Sequence, residues 1–474
     1  MIKDKTISGI KWTTVSTISN TLINIIKISL LARLLDKSDF GLMALVLFVL
    51  GFMNLFMDLG FTSAILHKQD ISRNEYASLY WLNVGFSFVL FFLIWILSPV
   101  VAQFYNEPEL QILIPLMGST ILITALGKQF RTIELKNLNF KNISLVDVLS
   151  GILGLFVSIG FALKNYGVYS LVYGYITVNA SINLFFFIRG IVKIGLLFHF
   201  NITETRPFLK IGLYQVGGQI VNYFNRDLDL LIIGKLIGVE ALGGYSLAKQ
   251  LIQRPRQIID PVFARVGNSV LPKFQSDNDK LRSFFKKIFI SLGSINSLVY
   301  GLIIIFAEPL VMIFYGQEYN NISQYVQLFA FLIYLKSMGS MSGLLVITKG
   351  RTDLEFLWNL INLLIFPAAI FAGSRFSIEM IIIFMICTQI MLLIPGWSIF
   401  YKRLVQLPLK TFLSLITIPA LISLPFVLIS FHFDSFFQKV LISIFFFISL
   451  LYYAYTNSQE IKNYLCLLNQ KYFN

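Results

Sequence analysis

A chain of 474 residues with 56% hydrophobic side chains, 46 of its residues Phe, and only 13% charged side chains is not a water-soluble globule. Soluble domains carry about 25% charged residues, and so much apolar surface could not be hidden from water. The net charge of +14 has no soluble basic face to sit on, which excludes a nucleic-acid surface.

The apolar residues come in long runs, as over 42–56, 84–101, 298–306 and 436–455. A helix crosses roughly 30 Å of hydrocarbon with about 20 mostly apolar residues. In lipid every backbone group must pair within the chain, so the expected fold is all-α, a polytopic membrane bundle. Breaks at charge and Gly/Pro clusters place about fourteen transmembrane helices. In chain order they cover 11–35, 41–67, 77–104, 110–130, 144–163, 168–189, 207–236, 240–270, 284–306, 322–348, 355–373, 378–401, 410–431 and 435–455. Between the ninth and tenth, Glu308 to Tyr319 reads as a short interfacial helix or re-entrant turn.

Residues 1–30 begin basic, but Ser16, Ser19, Asn20, Asn24 and Lys27 interrupt any apolar core. No small-residue cleavage site follows, so a cleavable leader is not expected. Cys387 falls in a span and Cys466 in the tail, which supports neither a disulfide framework nor a metal site. His67, His199 and His432 are scattered near span ends, and no cofactor is expected.

Orientation follows from Lys and Arg. With the N-terminus in the cytoplasm, the inner segments hold 25 of these residues and the outer loops only Arg33, Lys37, Lys164, Lys235, Arg375 and Lys439. That asymmetry is a positive-inside signal, so both termini are expected in the cytoplasm.

Sliding the chain along itself gives one match, at an offset of about 202 residues. Ala32-Arg33-Leu34-Leu35 falls on Gly234-Lys235-Leu236-Ile237, and Phe40-Gly41 on Leu242-Gly243. Trp12 falls on Tyr214, Asn20 on Asn222, Asp58 on Asp260 and Phe61 on Phe263. The offset covers an even number of helices, so the copies run parallel, a pattern that places a substrate site between halves. The expected domains are a six-helix lobe over 1–200, a second over 201–403, and two further helices with a tail over 404–474.

Seven cations fall inside spans: Lys27, Arg226, Lys249, Arg254, Arg256, Arg265 and Lys336. Asp58, Asp147, Asp227, Asp229 and Asp260 lie at similar depth. A charge at mid-bilayer costs at least about 2.5–3.5 kcal/mol on insertion scales, so these groups pair or line a wet cavity. Most stand in the first, second, seventh and eighth spans. Lys249, Gln253 and Arg256 share a helical face, as do Asn222, Asn225 and Asp229. Pro255 is expected to kink or break the eighth span. Structural readings stand beside this one: Asp58 and Asp260 pairing with Lys68 or Arg265, and Asp227 and Asp229 pairing with Arg226. The clustered Lys249, Arg254 and Arg256 repel one another unless an anion or several carboxylates visit. Arginine forks suit phosphate oxygens. Substrate-binding candidates are therefore Lys27, Asn222, Arg226, Lys249, Arg254 and Arg256; ion-coupling candidates are Asp58, Asp227, Asp229 and Asp260. With no phosphate loop or nucleotide fold in the chain, direct ATP driving within it is excluded.

The stretch Leu31-Ala-Arg-Leu-Leu-Asp-Lys-Ser-Asp-Phe-Gly-Leu-Met-Ala-Leu45, followed by Met57-Asp-Leu-Gly-Phe-Thr-Ser-Ala-Ile65, resembles the opening of bacterial polysaccharide flippases. These belong to the multidrug, oligosaccharidyl-lipid and polysaccharide exporter superfamily. The resemblance implies flipping of undecaprenyl-pyrophosphate-linked oligosaccharide repeat units for lipopolysaccharide O-antigen, capsule or exopolysaccharide. It also implies alternating access, driven by an ion gradient (H+ or Na+), and work beside a polysaccharide polymerase. Alternatives are a lipid II flippase of peptidoglycan synthesis, which shares a cationic cavity, and a multidrug cation antiporter, whose cavity should be net negative. An enzyme acting on lipid-linked sugars would need a long outer loop, and none is present in the sequence.

Overall fold

A computed structural model describes residues 2–58, 62, 65, 66, 68, 70–433 and 435–457, with only the backbone of 2–7, 58, 207 and 209–216. Phe61, His67, Lys462, Cys466 and Lys471 lie outside the described residues, as do the side chains of Asp58, Lys210 and Tyr214.

Among the described residues all regular structure is helical. The first half contains α1 (Ile2–Leu31), α2 (Lys37–Asp58), α3 (Arg73–Tyr105), α4 (Leu110–Lys136), α5 (Phe140–Ala162), α6 (Val168–Ile194) and α7 (Ile202–Leu236). There follow α8 (Val239–Val270), α9 (Asn278–Ile305), the short α10 (Ala307–Tyr315), α11 (Ser323–Ser340), α12 (Ser342–Lys349) and α13 (Thr352–Gly373). The last are α14 (Ile378–Met391), carried on to Val405 through a π-helical turn at Trp397–Lys402, then α15 (Leu409–Ser430) and α16 (Phe436–Asn457). The short element expected after the ninth span is α10, and the expected tenth span is the pair α11 and α12.

Among the described residues, 12 helices are long and apolar enough to cross a membrane. α7 and α8 are not in that set. At 35 and 32 residues they are long enough for the hydrocarbon; their charges, including Arg226, Asp227, Asp229, Lys249, Arg254, Arg256 and Asp260, are what set them apart. The other helices show lipid the surface expected of them: Phe92, Trp95, Ile96 and Val100 on α3, and Phe436, Phe437, Phe445 and Tyr452 on α16, are exposed.

By internal contacts the chain forms two units, Met1–Ser246 with Ile313–Gly316, and Leu247–Met312 with Gln317–Asn474. The contact boundary thus falls inside α8, whereas the sequence repeat turns over near residue 201.

In the first unit α5 runs along α1 and α6, α4 along α3 and α6, and α7 packs on α2 and α3. Lipid supplies no hydrophobic drive between helices, so close backbone approach matters. Gly154 and Ser158 of α5 lie against Gly174 of α6, where any larger side chain would collide. Gly41 and Gly243 form a second such contact. A Cβ on Gly41 would strike the Val239 carbonyl oxygen, and one on Gly243 the Lys37 carbonyl oxygen. Lys37 and Val239, like the two glycines, stand at the repeat offset, so the contact is reciprocal in the way a local two-fold relation makes it.

The second unit is built on α9, which packs against α11, α15 and α16; α14 joins α11 to α13. Its core holds Phe285, Phe289, Tyr401 and Phe412 in mutual ring contact, with Tyr401 and Phe412 4.6 Å apart. Asp277 caps α9 by accepting from the Lys280 amide.

Candidate anion and ion-coupling site

In the first unit the site residues are built on α7. Its start is set by Asn201, whose side chain accepts from the Thr203 amide at 3.0 Å. Two turns of polar residues follow in its second half. Asn222 and Arg226, four apart, are both exposed. The Arg226 guanidinium lies over the Tyr223 ring, 5.3 Å from its centroid, and its Nε donates to Asp227 Oδ2 at 2.7 Å. Tyr223 is itself fixed: its buried hydroxyl donates to the Phe48 carbonyl of α2 at 2.5 Å. Arg226 is therefore a held cation with its side chain 63% exposed. Asp229 is buried and accepts from the buried Tyr245 hydroxyl at 2.5 Å. So α7 sets one arginine beside two carboxylates, and its local charge is not a cationic surplus. The expected Arg226–Asp227 pair is present; Asp229 bonds a tyrosine as well.

Lys27 is half-buried on α1, the helix that packs along α5. Along α1 the Asn20 amide donates to Ser16 Oγ and the Asn24 amide to the Asn20 carbonyl, at 3.3 and 2.9 Å. Asn20 Oδ1 faces Gly151 of α5, so these amides serve helix packing. Asp58 ends α2, and its side chain is outside the described residues.

The second unit holds the remainder on α8. That helix continues unbroken through Pro255 and Pro261, so of the kink or break expected at Pro255 the break does not occur. Each proline still removes the amide that would bond four residues back, leaving the Leu251 and Gln257 carbonyls without that donor. Lys249 is buried, at 7% exposure. Arg254 approaches Gln257 Oε1 at 3.5 Å. Arg256 Nε donates to Asp260 Oδ2 at 2.9 Å, one turn on. Asp260 thus pairs with Arg256 and not with Arg265, while Lys68 pairs with Glu75 at 2.5 Å. From Leu247 onward α8 sets Lys249, Arg254, Arg256 and Arg265 against the single carboxylate Asp260. The cationic surplus sits here.

Sequence reading missed the groups that hold Asp260. Ser337 Oγ of α11 donates to its Oδ1 at 2.5 Å, and Ser340 Oγ lies 3.3 Å from Oδ2. Asn296 of α9 donates in turn to Ser337 Oγ at 2.8 Å. The signal was present but faint: Ser337 and Ser340 stand one turn apart in an apolar span, and Asn296 is a lone amide in another. Lys336, the other cation of that span, lies over the Phe366 ring at 4.5 Å. Asp147 pairs with Arg131 at 2.7 Å. Among the described residues no cluster of His, Cys, Asp and Glu could hold a metal.

The family model described as polysaccharide biosynthesis protein matches residues 30–324. The lipopolysaccharide biosynthesis protein WzxC of Escherichia coli strain K12 is 28% identical over 434 residues, 91% of this chain and 88% of that one. The teichuronic acid biosynthesis protein TuaB of Bacillus subtilis strain 168 is 26% identical, over 91% of this chain and 89% of that one. Among solved structures, an inward closed lipid II flippase MurJ superposes with a TM-score of 0.73, covering 94% of this chain and 98% of that one at 15% identity. That identity is a likeness of fold.

Proposed function

The chain belongs to the family of polysaccharide biosynthesis proteins, and from that membership we propose that it flips lipid-linked oligosaccharide repeat units across the membrane. The observation that carries this reading is similarity over nine-tenths of the chain to proteins of lipopolysaccharide and teichuronic acid biosynthesis. A bundle of lipid-facing helices with two charged ones, α7 and α8, gives it a physical basis.

The substrate in this reading is an undecaprenyl-pyrophosphate-linked oligosaccharide destined for O-antigen, capsule or exopolysaccharide. Its pyrophosphate is a multiply charged anion that cannot cross hydrocarbon bare. Lys249, Arg254 and Arg256 supply the counter-charge, with Arg226, Lys27 and Asn222 as further contacts. Guanidinium forks bind phosphate oxygens bidentately, which favours the two arginines of α8 over the ammonium groups. The polyprenyl tail stays in lipid, so only the headgroup needs a polar path.

Movement is by alternating access between lobes 1–200 and 201–403, with 404–474 attached to the second; the reciprocal Gly41–Gly243 contact at the repeat offset supports the repeat from which these lobes are drawn. The chain is a transporter and not an enzyme. It works in the bacterial inner membrane with both termini in the cytoplasm, beside the polymerase machinery that consumes its product. A gradient of H+ or Na+ drives it, and Asp58, Asp227, Asp229 and Asp260 are the groups with the chemistry to couple it.

Reconstitution tests the reading. The full chain in liposomes should move undecaprenyl-pyrophosphate-linked N-acetylglucosamine from one leaflet to the other, measured by accessibility of the sugar to an external glycosyltransferase. Arg254→Ala combined with Arg256→Ala should abolish the movement with the protein still inserted. Movement that is no faster than in empty liposomes, or is indifferent to the double substitution, contradicts it.

A further inference from the structure

Asp260 sits where three helices of the second unit meet, and the hydrogens around it are few enough to follow one by one. Arg256 Nε on α8 donates to Oδ2 at 2.9 Å. Ser337 Oγ on α11 donates its only hydrogen to Oδ1 at 2.5 Å. Asn296 on α9 must therefore present its NH2 to Ser337, which it does at 2.8 Å. The Asn296 carbonyl is left over. Asn296 is 0% exposed, and its Oδ1 has no hydrogen-bond partner among the described residues. A buried acceptor without a donor is costly, and Asn296 is held here by its one bond to Ser337.

Ser340 completes the picture. Its Oγ donates to the Ser337 carbonyl at 2.7 Å, yet lies 3.3 Å from Asp260 Oδ2. With its hydrogen committed at the shorter distance, Ser340 has lone pairs to offer and not a second proton. A hydrogen on Oδ2 would have an acceptor waiting. The ionisable groups facing Asp260 are Arg256 on its own helix and the phenol of Tyr300 on α9, which is 1% exposed and faces the Arg256 backbone. α11 presents the two hydroxyls, and α15 comes close through the Ile416 and Pro419 carbonyls, which accept from Tyr334 and Ser297.

We propose that Arg256 is shared between Asp260 and the anionic headgroup of the substrate, so that binding of the anion and uptake of one proton by Asp260 go together. In the empty site the carboxylate holds Arg256. When a pyrophosphate claims the guanidinium, whose side chain is 31% exposed, Asp260 loses its counter-charge and takes a proton from water onto Oδ2. That hydrogen donates to Ser340 Oγ. The Ser337 hydroxyl keeps its bond to Oδ1, and Asn296 keeps its bond to Ser337. No bond in the substrate changes; one water-borne proton is consumed, and one carboxylate charge is exchanged for one from the ligand. Such coupling is reciprocal: the proton strengthens anion binding as much as the anion strengthens proton binding. The inference rests on the flippase reading for its ligand, and its sign is specific. A carboxylate whose proton is driven off by the substrate would show the opposite linkage.

Calorimetric titration of the purified full chain with farnesyl pyrophosphate, in buffers of different ionisation enthalpy, counts the protons directly. Wild type should take up protons on binding. Its affinity should rise with falling pH more steeply than that of Asp260→Asn, by at most about tenfold per pH unit for a single proton. Asp260→Asn, which frees Arg256 without a proton, should bind with only the pH dependence of the ligand itself. Arg256→Ala should lose the proton uptake, and Ser340→Ala should move the steep region to lower pH. Proton release, a wild-type pH dependence no steeper than that of Asp260→Asn, or uptake that survives Arg256→Ala overturns the proposal. Binding to wild type with no protons exchanged overturns it and leaves the flippase reading standing, whereas no binding at any pH removes both. The count on wild type needs no variant to fold.

Discussion

Arg254 and Arg256 stand one residue on either side of Pro255, in a stretch of α8 with one carboxylate for four cations. A charge-assisted hydrogen bond contributes about 1.5–3 kcal/mol, which converts to roughly ten- to a hundredfold in affinity. Each single Arg→Ala change should therefore weaken binding of a prenyl pyrophosphate by at least about tenfold. Arg375→Ala, an exposed residue whose guanidinium lies over the Phe371 ring, should leave it unchanged; the same titration reads both. On α7 the balance differs, because Arg226 is held by Asp227 and Tyr223. Tyr223→Phe removes the bond to the Phe48 carbonyl. Side-chain hydrogen bonds in membrane helices average about 0.6 kcal/mol, so the loss should register as a small fall in melting temperature, followed by fluorescence in detergent. An unchanged melting temperature would mean that the hydroxyl holds nothing.

Helices of this bundle meet through backbone as much as through side chains, and that gives a sharp contrast between glycines. Gly41→Leu at the α2–α8 crossing has nowhere to place its side chain, and overpacking of this kind costs about 1–3 kcal/mol or more. Gly85→Ala on α3, with no atom within 4 Å of the added carbon, should be neutral or slightly stabilising. Melting temperatures of the two variants settle the comparison, and equal values would contradict the close approach.

At this scale the sequence was informative where composition is the cause. About fourteen spans could be placed by hydropathy and by breaks at charge and Gly/Pro clusters; among the described residues twelve helices are long and apolar enough to cross a membrane, and α7 and α8 stand apart by their charges. What could not be read was which helix touches which. Asn296, Ser337 and Ser340 look like lone polar residues in apolar runs, and only packing brings α9 and α11 around Asp260. The run Asn222, Asn225 and Asp229 was read as one cavity face, yet Asp229 is buried against Tyr245, because helical periodicity reports a face and not what lies opposite it. Of the kink or break expected at Pro255, the break does not occur for a related reason: a missing amide removes one bond, and the rest of α8 continues.

For the whole molecule, the inner-to-outer asymmetry of Lys and Arg makes orientation testable. In a chain with Cys387 and Cys466 changed to Ser, Lys164→Cys should react with an impermeant maleimide on intact cells. Lys280→Cys should react only after the cells are opened, and the reverse pattern would invert the topology. Function belongs to this scale as well, since a flippase is defined by what accumulates when it is gone. The most direct measurement deletes the gene in its native host and follows surface polysaccharide together with lipid-linked repeat units on the cytoplasmic side. Polysaccharide should disappear while completed repeat units build up inside. Wild type should restore export, and a well-expressed Arg254→Ala, Arg256→Ala double variant should not. Normal polysaccharide with altered drug tolerance would contradict the account and make the chain a drug exporter.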